Sequence, residues 1–300
     1  MSEESSRVET VLAHTCLLGE GPVWDVRTKS ICWVDILNKQ VHEYSTSRQL
    51  HRVINVESMP GAIALCRDGN FLVALKEGIA WVDRNTAHAR ILCHPEIHVT
   101  GNRFNDGKCD PAGRFWIGTM ALSEEAGAGN LYMVENDLTW KLKLPGVSIS
   151  NGMAWSSDFR TYYYIDTPTR QVAAFDFQME TGDISNRRIV LEIPSSEGFP
   201  DGMTIDTEGR LWVAHWDGWQ VSCWDPLKGQ KLRSIEFPAS QITSCTFGGD
   251  NMNDLYVTSA RKGLDEHALK RQPLAGSLFV VRGCGASGHA PFEFEIAGVR

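Results

Sequence analysis

A short apolar pattern recurs six times along the chain, at intervals of 39 to 48 residues. Its copies are centred on Trp33, Leu72, Trp116, Tyr164, Trp212 and Tyr256. A period near 45 residues is typical of a four-stranded propeller blade and is too long for a leucine-rich repeat. The repeat therefore predicts an all-β, six-bladed β-propeller of four-stranded antiparallel blades.

The residues around each copy support this interpretation. A strand and a Gly- and Asp-rich turn precede each copy, as in GMTIDTEG (202–209), and a third strand follows, as in QVSCW (220–224). VETVLAH (8–14) is expected to complete the last blade, and FEFEI (292–296) to add to that closure. Ring closure leaves no long unpaired strand edge, so we expect one domain over 1–300, with a helical turn in the polar insertion 260–276.

Charge and composition exclude several classes of function. The net charge is −8, and no basic run is longer than Arg187-Arg188, which argues against nucleic acid and anionic membranes as partners. No apolar stretch approaches the roughly 20 residues of a spanning helix, and the polar N-terminus does not resemble a signal peptide. The eight cysteines form no CxxC pair, and no histidine cluster completes a zinc-site spacing. We therefore expect a cytoplasmic protein; nothing indicates a particular oligomeric state.

The first strand of each blade lines the central channel of a propeller, so its leading residues are expected to meet at one channel mouth. The aligned positions are Glu20, Pro60, Asp106, Asn151, Asp201 and either Ser244 or Cys245, and glycine follows in five units. Asp-Gly and Asn-Gly are also common hairpin turns, but all these residues share one phase of the repeat. Clustered carboxylates need a counter-charge. Oxygen ligands favour one divalent cation such as Ca²⁺, Mg²⁺ or Mn²⁺, and Zn²⁺ stays possible.

Ordered motifs spread over the whole chain carry a family resemblance. They include LGEGPVWD (18–25), NRFNDGKCDPAGRFWIGTM (102–120), SISNGMAWSSD (148–158) and PDGMTIDTEGRLWVA (200–214). With these motifs the chain resembles the senescence marker protein-30 (regucalcin), gluconolactonase and luciferin-regenerating enzyme family. The six-bladed fold of that family agrees with the repeat.

The resemblance implies that Glu20, Asn151 and Asp201 bind the metal and that Arg103 and Asn105 contact the substrate. Here the two arguments differ, because the repeat alignment places Asp106, rather than Asn105, in the channel. We follow the resemblance for the contacts and expect Asp106 to act through a water molecule or from behind the direct ligands. Family members near the animal proteins also carry a glutamate soon after GTM, in the substrate wall. That position falls at about Ser123 here, with Glu124 and Glu125 shifted along the loop, so their roles stay unassigned.

These observations predict a metal-dependent sugar lactonase that hydrolyses aldonolactones, with Asp201 as the candidate general base; alternatively, the metal lowers the pKa of the water enough to form hydroxide. The preferred lactone and the physiological metal are not determined by the sequence. Two alternatives are a calcium-binding regulatory propeller and a phosphotriester hydrolase of the related propeller type. Trp24, Trp155 and His215 are interpreted as packing residues rather than as parts of the site.

Overall fold

The computed structural model of the protein describes residues 7–297, which form six four-stranded antiparallel sheets. The sheets are the blades of a ring, and the predicted all-β, six-bladed propeller is confirmed. Within residues 7–297, no helix has both the length and the apolar character needed to cross a bilayer.

Blades 1 to 5 each use four strands that are consecutive in the chain. In blades 1 and 2 these are β2 (Gly19–Asp25), β3 (Ser30–Asp35), β4 (Gln40–Ser45), β5 (Leu50–Asn55), β6 (Pro60–Leu65), β7 (Phe71–Leu75), β8 (Gly78–Val82) and β9 (Ala89–Cys93). In blade 3 they are β10 (Asn102–Cys109), β11 (Phe115–Ala121), β12 (Gly129–Val134) and β13 (Trp140–Val147). In blades 4 and 5 they are β14 (Ser150–Trp155), β15 (Thr161–Asp166), β16 (Gln171–Gln178), β17 (Asp183–Glu192), β18 (Phe199–Ile205), β19 (Leu211–Trp216), β20 (Gln220–Asp225) and β21 (Gln230–Glu236).

Blade 6 closes the ring with strands from both ends of the chain. Its strands are β22 (Ile242–Gly248), β23 (Asp254–Ser259), β24 (Leu278–Val281) and β1 (Val8–Leu12). β1 pairs antiparallel with β24, which confirms that the N-terminal strand completes the last blade. The insertion between β23 and β24 contains helix α1 (Glu266–Arg271), the helical turn expected there, and Asp265 caps it by accepting a bond from the Ala268 N–H.

The expectation for FEFEI (292–296) is wrong in its placement. Phe294 forms a parallel bridge to Cys66 and lies fully buried in the core shared by blades 2 and 3. Upstream, Gly288 bridges Asp206 at blade 5. The C-terminal segment therefore crosses from one side of the ring to the other instead of adding a strand to blade 6.

The turns that precede the second strands explain why the repeat is so regular. In blade 3, Asp110 accepts bonds from the Arg114 side chain at 2.7 Å and from the Trp116 indole at 2.9 Å. Asp206 makes the same bonds to Arg210 and Trp212 in blade 5. In each blade, one buried carboxylate thus accepts hydrogen bonds from the arginine of the hairpin and from the indole N–H. A buried indole N–H needs such an acceptor.

Glycine occupies the point where neighbouring first strands come closest. Each first strand has an irregularity in its register near the channel mouth, as between Asn151 and Met153 on β14. A Cβ atom on Gly152 would lie 2.8 Å from the Asp201 carbonyl oxygen, and one on Gly202 would lie 2.8 Å from Ser244 Cα. These glycines are required by packing between blades and not by a hairpin turn.

Gly61→Ala tests this packing, because the added methyl group would overlap the Phe104 carbonyl of the next blade. We expect a loss of about 1–3 kcal/mol in the free energy of unfolding, measured by denaturant titration. Gly101→Ala is the matched control, since no atom of the part of the chain that the structure describes lies within 4 Å of its added Cβ atom. Equal stability of the two variants would contradict the packing argument.

Candidate metal and substrate site

A cavity of about 510 Å³ opens at the mouth of the central channel. Its apolar lining residues are Leu18, Met120, Ile149, Pro168, Phe199 and Trp216. Its polar lining residues are Glu20, Arg103, Asn105, Glu124, Asn151, Thr167, Asp201 and Lys262. The cavity thus combines hydrogen-bonding groups with apolar side chains, as small-molecule sites do.

The first strands of four blades bring the predicted site residues into this cavity. Glu20 lies on β2, Asn105 on β10, Asn151 on β14 and Asp201 on β18, and each is only 4% to 6% exposed. Arg103, also on β10, is buried to a similar degree. Residues that are up to 181 positions apart in the chain therefore share one site because their strands surround one axis.

A chain of hydrogen bonds fixes the carboxamides of the site. Arg103 donates to Asn105 Oδ1 at 2.7 Å, and Asn105 Nδ2 donates to Asn151 Oδ1 at 3.2 Å. Asn151 Nδ2 donates to Thr167 Oγ1 at 2.8 Å, and that hydroxyl donates to the Pro200 carbonyl at 2.8 Å. Because Thr167 holds the amide nitrogen, the oxygen of Asn151 stays turned toward the site. Thr167 was not among the predicted site residues.

Asn105 and Asp106 are adjacent on β10 but reach different cavities. Asn105 lines the mouth cavity, whereas Asp106 lines an inner cavity further along the channel, together with Lys108. The irregularity between Phe104 and Gly107 places both residues opposite one position of β11. The repeat alignment therefore chose the wrong neighbour for the mouth, and the residue implied by the family resemblance is the one found there.

Burial of like charges dominates the electrostatics of the site. Desolvation, reinforced by the nearby carboxylate of Asp106, raises the pKa of Glu20 from 4.5 to about 8. Desolvation and the carboxylates of Glu20 and Asp106 raise the pKa of Asp201 well above its usual range. Burial also lowers the pKa of Arg103 to about 10, although the surrounding carboxylates oppose this shift.

This donor set fits a divalent cation. Glu20, Asn151 and Asp201 offer buried oxygen atoms only, which suits a hard ion, and two of them carry raised pKa values that a cation would lower. With Asn105 beside them, these residues are the ones that would hold a cation in the mouth cavity. The remaining ligand positions would be open to water and substrate.

Glu124 and Lys262 form the outer wall of the mouth cavity. They come from blade 3 and from the loop after β23 in blade 6, and their ion pair measures 2.9 Å. This hydrogen bond lowers the pKa of Glu124. The loop ALSEEAG (121–127) is shifted relative to the family pattern, yet it still places Glu124 in the cavity wall. No feature of the sequence indicated that Lys262 would lie opposite it.

The residues interpreted as packing residues lie away from the mouth cavity. Trp24 stacks on Tyr256 of blade 6 with ring centroids 5.3 Å apart. Trp155 packs edge-on against Trp116 and also lines the inner cavity. His215 is fully buried, with its ring nitrogens 2.7 Å from the Glu197 carbonyl and 2.6 Å from Ser222 Oγ.

Fold and site together define a six-bladed propeller with a buried, oxygen-lined pocket on its axis. The family model described as the SMP-30/gluconolactonase/LRE-like region matches residues 18–261. Regucalcin of Pongo abelii is 41% identical, covering 97% of this chain and 99% of the relative. Regucalcin of Homo sapiens is 40% identical with the same coverage. The chain belongs to the SMP-30/gluconolactonase/LRE-like family.

Solved structures agree with this assignment. A luciferin-regenerating enzyme superposes with a TM-score of 0.91 at 33% identity, covering 96% of this chain and 99% of that one. A calcium-binding protein, regucalcin, from Agrobacterium tumefaciens gives a TM-score of 0.90 at 30% identity, covering 96% of both chains. A gluconolactonase from Xanthomonas campestris gives 0.73 at 20% identity, with 91% of this chain and 88% of that one covered, and shows the likeness of fold.

The raised pKa of Glu20 predicts that cation binding releases protons. Between pH 6 and pH 8 we expect affinity to rise by about tenfold per pH unit for each proton displaced. In the cation-free protein the same group stabilises the fold most below pH 4.5 and loses this contribution as pH rises through about 8. Calorimetry in two buffers of different ionisation enthalpy counts the protons, and Glu20→Gln should lower the count. A pH-independent affinity contradicts the prediction.

Thr167→Val tests the orientation of Asn151 without touching the predicted ligands. The variant keeps the side-chain shape but leaves Asn151 Nδ2 without its acceptor at 2.8 Å. We expect cation affinity to fall by about tenfold or more, as losses of supporting hydrogen bonds at metal sites do. Thr167→Ser retains the hydroxyl and should bind the cation like the wild type. Wild-type affinity in the valine variant would show that the hydroxyl does not orient the amide.

Proposed function

We propose that this chain is a metal-dependent lactonase that hydrolyses sugar lactones, of the aldonolactone type, to aldonic acids. The observation that carries the proposal is the meeting of Glu20, Asn105, Asn151 and Asp201 with Arg103 in one buried cavity. Family membership supports the same reading, because the family description names gluconolactonase. The cavity volume of about 510 Å³ leaves room for a monosaccharide-sized ring beside a cation.

The cation would be one divalent ion, Ca²⁺, Mg²⁺, Mn²⁺ or Zn²⁺, held by Glu20, Asn151 and Asp201. Lewis-acid polarisation of the ester carbonyl is the chemistry that a cation supplies at such a position. The protein surrounds that position with buried, fixed groups, whose charges act more strongly than they would in water.

Arg103 and Asn105 are proposed to hold the lactone. The guanidinium of Arg103 donates to Asn105 Oδ1 and to the Phe104 carbonyl through the same nitrogen, so its remaining N–H groups are available to ring hydroxyls. Its charge also compensates Glu20 and Asp201. The Glu124–Lys262 ion pair at the cavity wall offers further polar contacts for the outer hydroxyls of the sugar.

Asp201 is proposed as the general base. It takes a proton from the attacking water as the oxygen of that water bonds to the ester carbon. When the ring C–O bond breaks, the same carboxyl group returns the proton to the departing ring oxygen, which becomes a hydroxyl. Burial raises the pKa of Asp201, and this brings the basicity of the carboxylate closer to what a general base needs near neutral pH. A bound cation would make the increase in pKa smaller.

Proton release from a panel of five- and six-membered aldonolactones, with and without added cations, tests the proposal. Asp201→Asn should lower kcat by about 10²–10⁴, because loss of a general base has effects of that size. Asp250→Asn is the matched control, since this exposed aspartate pairs with Lys29 far from the cavity.

The same assay separates the alternatives. Tight calcium binding without turnover of any lactone would instead support a calcium-binding regulatory propeller. Hydrolysis of an aryl phosphotriester, without hydrolysis of the lactones, would support the alternative hypothesis that the protein is a phosphotriester hydrolase. Unchanged lactone turnover in Asp201→Asn would exclude this residue as the base.

A further inference from the structure

A second group of metal-ligating side chains lies at the junction where the ring closes. His14 and Cys16 lie in the segment between β1 of blade 6 and β2 of blade 1, and His42 lies on β4. The possible ligand atoms of these three residues all lie within 4.8 Å of one another. None of the three lines the mouth cavity. The cluster is thus separate from the oxygen-lined site on the axis.

His42 has a buried ring nitrogen, Nε2, that makes no hydrogen bond with the described residues. Its side chain is fully buried, and within residues 7–297 nothing forms a hydrogen bond with Nε2. Its other nitrogen, Nδ1, lies 3.0 Å from Nε2 of His51. A proton on Nε2 would be a buried donor without an acceptor, so the favoured tautomer carries the proton on Nδ1 and donates it to His51. The Nε2 lone pair is then free, as in a metal-bound histidine held by a second group.

Trp33 packs against one side of the cluster. Its indole ring stacks on the imidazoles of His42 and His51, at centroid distances of 4.9 Å and 5.6 Å and with interplanar angles of 13° and 7°. The Trp33 N–H points at Cys16 Sγ, 3.4 Å away. A donor aimed at the sulfur stabilises a thiolate once it forms.

Burial disfavours the charged forms of His42, His51 and the Cys16 thiol. Burial, with His14 and His51 nearby, lowers the pKa of His42 to about 3. Burial lowers the pKa of His51 to about 4. Burial and the neighbouring Asp35 raise the pKa of the Cys16 thiol to about 12.

We propose that His14, Cys16 and His42 form a second metal site, which takes a borderline-soft d-block ion of the Zn²⁺ type. Nitrogen and sulfur donors select such ions and discriminate against Ca²⁺ and Mg²⁺. Ligand atoms in a tetrahedral zinc site lie about 3.5 Å apart, so the three side chains would approach one another slightly when the ion binds. A water molecule would supply the fourth ligand.

Binding follows a simple proton balance. The Cys16 S–H bond breaks, a sulfur–metal bond forms, and one proton passes to the buffer for each ion bound. The ion then links the segment that leaves β1 to strand β4, and so ties blade 6 to blade 1. The bound ion thus stabilises the junction between blades 6 and 1, so the folded state is more stable when the ion is present.

Cobalt(II) titration of the full chain, first saturated with Ca²⁺ to fill the oxygen-lined site, tests this proposal. We expect a thiolate-to-cobalt charge-transfer band that saturates at one equivalent. Zn²⁺ should displace the cobalt. Added to cobalt-free protein, Zn²⁺ should release one proton per ion, and a large excess should raise Tm by about 5 °C or more.

Matched variants decide the outcome. Cys16→Ser should lose the band, whereas Cys93→Ser, at a half-buried cysteine on β9, should keep it. Asp201→Asn should also keep it, because the axial site is not involved. Should Cys16→Ser fail to fold, His14→Ala serves instead and should weaken cobalt binding at least tenfold. Absence of the band in the wild type, or its persistence in Cys16→Ser, shows that the cluster is only a packed aromatic group and overturns the proposal.

Discussion

The close approach of six first strands around one axis is the constraint on which this structure depends. At the channel mouth the backbones of adjacent blades come so near that Gly61, Gly152 and Gly202 have no room for a Cβ atom. Asn151 and Asp201 directly precede Gly152 and Gly202, at the same irregularity of their strands, and both line the mouth cavity. Packing between blades therefore sets the positions of the polar side chains, and the site follows from the way the ring is closed.

That geometry gathers charges that a folded protein usually keeps apart. Glu20, Asp106 and Asp201 share a low-dielectric channel, and each has a raised pKa because burial disfavours its charged form. Arg103 and Lys108 compensate only part of this charge, since burial lowers their pKa values as well. The surrounding blades hold the groups in place, and the proposed divalent cation would offset the repulsion between them.

The ring has two places where distant parts of the chain meet, and they differ in chemistry. The axis collects oxygen atoms from four blades, whereas the closure between β1 and blade 1 collects nitrogen and sulfur from His14, Cys16 and His42. Hard and borderline-soft ions are sorted by such donor sets. The two proposed sites therefore differ in selectivity, because the nitrogen and sulfur donors at the ring closure disfavour Ca²⁺ and Mg²⁺, whereas the oxygen donors on the axis would accept these ions and Zn²⁺ as well.

The sequence repeat by itself determined the six blades. It also determined that Glu20, Asn151 and Asp201 converge, because residues at equivalent positions of a repeat that closes into a ring face the same axis. The choice between Asn105 and Asp106 depended on the register irregularity of β10, which places two residues opposite one and leaves no trace in the repeat. Thr167, Lys262 and the cluster around His42 were decided only by the tertiary structure. They come from loops and from outer strands, where spacing along the chain bears no relation to distance in space.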